Sequence, residues 1–256
     1  MLVAVVVLTL AGYATFRVVT RESSEPASVT AAVARFHGLP AAARTLPPAL
    51  RGRAPQPGVY VYATRGFEVS HVLGTRRHPY PARTTITVSS TPRGCLRTRW
   101  DVLATRHDAT LSCPRTSAAP QLIAQSEEHE FAGHIDQRAY ACTPSSTAGP
   151  ARLTPGARWR SRCAIEGTTT ADDGMVVGRR SLTLDGKPTR TLLLRTSTRV
   201  SGDTTGVGTT FTWVLPPTRL IVRRTIANAS TTATIVGGVR YEERATLMLT
   251  TAHPRR

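Results

Sequence analysis

The feature that most constrains this chain is a two-residue alternation of side chains that begins at Gly58 and recurs almost to the C-terminus. In residues 191–201, for example, leucine, threonine and valine share one face of an extended chain, and arginine and serine occupy most of the other. Turn-forming residues recur about every ten positions. This pattern is typical of antiparallel strands with one buried and one wet face. The sequence therefore predicts a mainly β fold, a curved antiparallel sheet or half-barrel of about ten strands.

Before residue 58 the sequence has a different character. Residues 22–57 are rich in alanine, proline and arginine, and we interpret them as a linker. Within it, Val29, Val33 and Phe36 recur at helical spacing, so residues 28–36 are predicted to form one short helix that docks on the domain. The predicted organisation is an N-terminal apolar segment (1–21), this linker (22–57) and a single β domain (58–252).

Two cysteine pairs fit local crosslinks within the predicted sheet. Cys95 and Cys113 are equally far in sequence from Ala104, so a hairpin with its tip there places them opposite each other. Facing residues of antiparallel strands have Cα atoms about 4.5–5.5 Å apart, a separation that a disulfide accepts. Cys142 and Cys163 flank a loop rich in proline and glycine, which a second disulfide would tie to the sheet. Four cysteines allow three pairings, and the local one is the prediction.

The N-terminal segment is apolar, with no charged residue from Met1 to Phe16. A bilayer core requires about 20 apolar residues. The segment is therefore predicted to be a transmembrane anchor, in contact with the membrane through residues 2–19, or a signal helix that is removed. Gly12, Tyr13 and Ala14 form a poor cleavage site, which favours the anchor.

The flanking charges and the cysteines give opposite indications about the compartment. Arg17 and Arg21 follow the apolar segment, and basic residues tend to remain on the cytoplasmic side. Local cysteine pairs without a CxxC motif are typical of an oxidising compartment. We expect a single-pass protein of the cell membrane with its domain outside the cytoplasm. The alternatives are a secreted protein and a cytoplasmic domain with free thiols.

Several short motifs are distributed over the predicted β domain: residues 58–64, 80–81, 84–88, 99–101, 113, 140–142, 202–206 and 213. Together they resemble a family of uncharacterised exported or membrane-anchored β-rich proteins from GC-rich bacteria. The resemblance covers roughly residues 58–250 and implies export, but it implies no activity and no site residue. The predicted architecture is also similar to the half-barrels of bacterial lipoprotein carriers, which hold acyl chains, although architecture does not fix function.

Metal and phosphate motifs are incomplete in this sequence. His129 and His134 are five positions apart, whereas the zinc protease motif requires two histidines four apart on one helical face. Residues 202–208 are rich in glycine but match no nucleotide-binding motif. The sequence therefore predicts no metal site and no cofactor.

A catalytic site is equally incomplete. Three histidines offer a general base that Asp101 or Asp108 could orient; they are His71, His78 and His107. No nucleophile elbow accompanies them, and the cysteines are assigned to disulfides. We assign no catalytic residue and predict a protein that is not an enzyme, with a hydrolase that uses a histidine and a carboxylate as the alternative.

The chain carries a formal net charge of +17, and Lys187 is the one lysine among its 33 basic residues. The arginines are spread along predicted outer strand faces instead of being clustered with aromatic residues, as they are in nucleic-acid-binding modules. We therefore expect anionic lipids or polymers of the cell envelope as partners and no nucleic acid.

Four large aromatic residues fall on predicted strands, where a curved sheet would gather them in its core or on its concave face as an apolar ligand site. They are Tyr60, Tyr62, Trp100 and Trp213. The sequence favours a noncatalytic binding or scaffold role in the cell envelope. The alternatives are a carrier of lipid or another apolar ligand and the hydrolase named above.

Overall fold

A computed structural model describes residues 26–71, 74–115, 119–131, 134–234 and 237–256. The predicted anchor or signal helix, residues 1–21, lies outside this range. In the described part of the chain, no helix has the length and apolar character needed to cross a bilayer.

The described chain begins with one helix and two short 3-10 turns and continues as strands. Helix α1 (Val29–His37) is followed by the turns Ala41–Arg44 and Pro48–Leu50. The strands are β1 (Gly58–His71), β2 (Thr75–Pro79), β3 (Arg83–Ser90), β4 (Leu96–Leu103), β5 (Arg106–Cys113), β6 (Gln121–Phe131), β7 (His134–Cys142), β8 (Arg158–Ile165), β9 (Thr168–Leu184), β10 (Lys187–Gly202), β11 (Thr204–Leu215), β12 (Leu220–Thr234) and β13 (Gly237–Leu249).

Strand β1 closes the sheet into a barrel. From β3 to β13 each strand pairs antiparallel with the next, and β1 pairs with β3 on one edge and with β13 on the other. Twelve strands therefore form the closed barrel, and β2 is an additional strand on the second half of β1. The pair Phe67–Pro79 keeps the register of the pair Ala63–Arg83, so β2 lies in line with β3.

The prediction of a mainly β fold is correct, but the prediction of an open half-barrel of about ten strands is wrong. Closure depends on nine residue pairs between β1 and β13, from Tyr62–Leu249 to Ser70–Tyr241. These strands lie at opposite ends of the described sheet sequence, and side-chain alternation carries no information about which distant strands pair. Closure leaves β1 and β13 without a free edge over these residues.

Each barrel strand has one face toward the lumen and one toward the outside. A single apolar cluster joins side chains of β1, β3, β4, β9, β12 and β13, and this convergence identifies the lumen. The cluster lies mainly at the end of the barrel where β1 begins and β13 ends, which we call the terminal end. The opposite end, with the β1–β2, β10–β11 and β12–β13 turns, is the hairpin end. Leu247 and Val222 are fully buried in the cluster.

Helix α1 packs on the outside of the terminal end. Ser28 caps it by accepting a hydrogen bond from the Ala31 N–H, as the preference for serine at helix starts predicts. Ala32 and Phe36, on one helix face, are buried against Val59 of β1. The predicted linker helix is therefore present, and it starts one residue later than expected.

Both predicted disulfides are present. Cys95–Cys113 joins the start of β4 to the end of β5, and Cys142–Cys163 joins β7 to β8. Two disulfides are typical of proteins that fold in an oxidising compartment outside the cytoplasm.

Candidate functional site

The outer face of β10–β13 and β1 carries six arginines. Because side chains alternate along each strand, residues on either side of a lumen-facing position point outward. The cross-strand row from Arg195 to Arg65 passes through three uncharged residues of β11, β12 and β13. The outward arginines of these five strands, which we call the arginine wall, are Arg65, Arg195, Arg199, Arg223, Arg240 and Arg244.

The arginine wall is poorly neutralised. On the outer faces of its five strands, the one carboxylate among the described residues is that of Glu242, which pairs with Arg240. Four exposed arginines form no ion pair with any residue that the structure describes; they are Arg65, Arg195, Arg199 and Arg244. Unpaired guanidinium groups on one face favour the binding of an anion that spans several of them.

A groove with a volume of about 510 Å³ lies on the wall near the hairpin end. Arg199 and Arg240 stand among its lining residues, together with Val207, Gly206 and Ala229. Val207, on the outer face of β11, is 65% exposed. The groove therefore offers two cationic groups beside a shallow apolar floor.

Aromatic side chains lie within the wall without projecting from it. Phe211 and Trp213 of β11 are half-buried on the outer face. The guanidinium carbon of Arg223 lies 4.9 Å from the centre of the Trp213 ring, so the face of this ring is covered by a cation.

The four aromatic residues considered as a ligand site lie in two different places. Tyr60, Tyr62 and Trp100 belong to the apolar cluster of the lumen and are 2%, 1% and 5% exposed. The Tyr62 hydroxyl donates to the carbonyl of Ile221 on β12, which fixes it across the lumen. Trp213 lies on the outer face, away from the other three.

A charged cluster crosses the lumen toward the hairpin end. Arg106 of β5 donates to Glu68 of β1, although β3 and β4 separate the two strands in the sheet. Arg106 also donates to the Tyr241 hydroxyl and pairs with Glu243 at 3.2 Å, both on β13. Burial acts to raise the pKa of Glu243, but Arg106 and the donated hydrogen bonds hold it below its usual value. The cluster connects β5 with β1 and β13 across the lumen.

A histidine and a carboxylate meet on the outer face near α1. His107 Nδ1 lies 3.1 Å from Asp101 Oδ1, and Arg35 and Arg99 also contact this fully buried carboxylate. Burial acts to raise the pKa of Asp101, but the close contacts with His107 and Arg99 and the charge of Arg35 hold it at about 2. Within the described residues, the other ionic contact of His107 is Glu128, at 4.0 Å. The structure thus places a histidine beside a carboxylate, and these contacts of His107 include no nucleophile.

The other histidines considered in the sequence lie apart from this pair. His71 Nδ1 is 3.0 Å from the Thr75 hydroxyl where β1 meets β2, and His78 lies on β2. His129 and His134 belong to β6 and β7, so the two histidines of the incomplete zinc motif lie on different strands.

Comparisons with known proteins define no family for this chain. No model of a known protein family matches it, and no curated protein does. Among solved structures, it is similar to the hypothetical lipoprotein YmcC from Escherichia coli (K12), at 9% identity, over 73% of this chain and 87% of that chain, with a TM-score of 0.33. A TM-score this low carries no argument about fold or function. The family resemblance of the sequence motifs therefore stays an expectation.

Sequence reasoning placed the arginines on outer faces but did not bring those of β1 and β10–β13 together. Arg195 and Arg199 are recognisable as outward residues of one strand, because they alternate with apolar residues. Their proximity to Arg65 depends on the pairing of β1 with β13. That pairing has no local signal in the sequence.

Proposed function

We propose that this protein is a noncatalytic domain of the cell envelope that binds a phosphate-bearing anionic polymer on its arginine wall. The observation that carries the proposal is the set of four exposed arginines on the outer faces of β1, β10 and β13 that have no ion pair with a described residue. A guanidinium group matches the geometry of phosphate oxygens and stays charged at any physiological pH. The disulfides support a location outside the cytoplasm.

The shape of the wall favours a flexible polymer over a lipid bilayer. Neighbouring strands lie about 4.8 Å apart, so the five strands from β10 to β1 extend about 19 Å around a convex surface. A polymer follows such a curve, whereas a flat bilayer touches fewer strands. Phe211 and Trp213 are half-buried in the wall, so neither provides the protruding apolar group that anchors interfacial proteins.

The same surface is poorly suited to nucleic acid. Proteins that bind single strands stack bases on exposed aromatic faces. The face of Trp213 is covered by Arg223. An extracytoplasmic location also separates the protein from most nucleic acid.

The packing of the lumen argues against the apolar carrier. The side chains of Tyr60, Tyr62 and Trp100, which were candidates for lining an apolar cavity, pack tightly against Leu247 and Val222. An acyl chain would have to displace this core at the terminal end. The hydrolase alternative has the His107 and Asp101 pair in its favour but lacks a nucleophile among the contacts of His107.

The proposal is tested with poly(glycerol phosphate) as the probe. We expect the protein to bind this polymer with an affinity that decreases as salt increases, because the contacts are ionic. The triple variant Arg195→Gln/Arg199→Gln/Arg244→Gln should bind about tenfold more weakly, as three exposed ionic contacts of about 0.5 kcal/mol each predict. Isothermal titration calorimetry at two salt concentrations measures both effects.

A matched control removes the same charge elsewhere. Arg93, Arg97 and Arg115 are exposed near β3, β4 and β5, away from the wall, and their triple glutamine variant should bind nearly as the unmodified protein does. Vesicles of phosphatidylglycerol present the same headgroup chemistry as a bilayer, and single-stranded DNA presents a phosphodiester with bases. Equal loss in both triple variants, or tighter binding to the vesicles or the DNA, would contradict the proposal.

A further inference from the structure

The hairpin half of the lumen differs from the packed terminal half because water reaches its side chains. Several residues that face the lumen there are only partly buried although the barrel encloses them. They include Asp108, Asp172, Thr196, Thr210, Thr212 and Arg224. By contrast, Leu247 and Val222 of the apolar cluster are 0% exposed. The lumen therefore contains solvent-accessible space lined by hydroxyl and charged groups.

Arg224 is a guanidinium in this space without an acceptor. It lies on β12 directly opposite Thr212 of β11 and Leu247 of β13, at the boundary with the apolar cluster. It forms no hydrogen bond or ion pair with any described residue, and its Nε atom is buried. Burial lowers its pKa, while the charges of Asp108 and Glu243 act in the opposite direction. An enclosed donor without a partner is unfavourable and marks a place where a ligand or water accepts.

The carboxylates that face Arg224 across the lumen differ in whether both of their oxygens accept hydrogen bonds. Glu243 accepts from Tyr80 and Asn228, and Asp172 accepts from Ser161 and Thr198.

Asp108 accepts from Arg106 through Oδ2, at 3.2 Å, while its buried Oδ1 has no hydrogen-bond partner. One side of the lumen thus has a carboxylate oxygen of Asp108 that accepts no hydrogen bond from a described residue. The opposite side, at Arg224, has guanidinium N–H groups that donate none to such a residue.

The balance of charge in the lumen restricts the ligand further. Among the side chains that the structure describes, five carboxyl groups face it, namely Glu68, Asp108, Glu127, Asp172 and Glu243, against the three arginines Arg106, Arg138 and Arg224. An anion alone would add to the excess of negative charge. A cation alone would leave the donors of Arg224 without an acceptor.

We propose that the hairpin half of the lumen binds a small zwitterionic molecule, whose anionic group pairs with Arg224 and whose ammonium group pairs with Asp108. The hydroxyls of Thr210 and Thr212 on β11 lie beside this position and supply further polar contacts. The site is separate from the arginine wall, which occupies the outer face of the same strands.

The test is a binding panel of matched small molecules on the intact protein. The zwitterions are glycine, L-glutamine and glucosamine 6-phosphate, and their counterparts with one kind of charge or none are acetate, methylammonium and glucose. We expect at least one zwitterion to bind, measured by calorimetry and by an increase in melting temperature, at least tenfold more tightly than every counterpart. If no zwitterion binds, or if acetate or methylammonium binds as well, the proposal is overturned.

Adjacent residues on β12 provide the matched variants. Arg224→Gln should weaken zwitterion binding tenfold or more, whereas Arg223→Gln, which removes the same charge from the outer face, should leave it within twofold. If Arg224→Gln fails to fold, Asp108→Asn tests the other half of the site and should weaken binding by a similar factor. Retention of full affinity in a folded Arg224→Gln or Asp108→Asn variant would overturn the assignment.

Discussion

Asp108 and Glu127 are two carboxyl groups whose pKa lies above the ordinary value. They are direct cross-strand neighbours on β5 and β6, and both face the lumen. Burial, followed by the negative charge of Asp108, raises the pKa of Glu127 to about 7, against the attraction of Arg106 and Arg138. Burial also raises the pKa of Asp108, with Glu243 in the same direction and Arg106 opposed. Glu127 therefore releases its proton at a higher pH than it does in the unfolded chain.

This difference predicts a pH dependence of stability. Between the unfolded pKa of Glu127, near 4.5, and its folded value of about 7, the folded state binds more protons than the unfolded state. The free energy of unfolding should therefore fall as pH rises through this window. Urea unfolding at pH 5.5 and pH 8 measures the change.

The contribution of Glu127 is isolated by two single variants. In the Glu127→Gln variant the free energy of unfolding should fall less between pH 5.5 and pH 8, because the amide does not titrate. Glu128→Gln, on the outer face, should leave it unchanged. An unaltered pH dependence in the Glu127→Gln variant would show that the lumen carboxylates are not responsible.

Among the elements, the contact between β7 and β8 is the weakest seam of the barrel. These strands share two registered pairs, Ala141–Ala164 and Cys142–Cys163, whereas β8 and β9 share eight. A covalent bond occupies one of the two pairs. Hydrogen bonds from the following loop add to this contact; for example, the Thr143 N–H donates to the Arg162 carbonyl. The Cys142–Cys163 disulfide is therefore positioned to maintain closure.

Removing each disulfide tests this difference between elements. The sequence separations are similar, 18 for Cys95–Cys113 and 21 for Cys142–Cys163, so loop entropy predicts nearly equal losses of about 3 kcal/mol. We expect the double serine variant of Cys142 and Cys163 to lose clearly more, because the seam has few other contacts. Equilibrium urea unfolding of the two variants compares them. Equal losses would mean that β7 and β8 are held by the rest of the barrel.

The elements also show what local sequence determines. The hairpin about Ala104 and both disulfides were predictable because cysteine spacing and turn residues are local signals. The charged cluster of Arg106 was not predictable from the sequence, because its partner Glu68 is 38 residues away and lies across the lumen. A charged residue on a strand is most simply interpreted as exposed, whereas Arg106 is 6% exposed.

At the scale of the whole molecule, closure of the barrel accounts for the difference between what was expected and what is found. Pairing of β1 with β13 brings Arg65 next to the arginines of β10–β13, and it encloses the lumen that holds Arg224. The sequence predicted the β class and the outward arginines, since both follow from alternation. The paired residues of β1 and β13 are 171 to 187 positions apart in the sequence, and such pairing follows from the fit of the whole sheet, which alternation does not specify.

The most direct test of the account is a footprint of poly(glycerol phosphate) on the intact protein. Arginines are labelled with phenylglyoxal with and without the polymer, and the modified positions are identified by mass spectrometry. We predict that the polymer protects Arg195, Arg199 and Arg244 and leaves Arg93 and Arg97 as reactive as before. Protection that is uniform over both sets, or absent from the arginine wall, would contradict the proposed function.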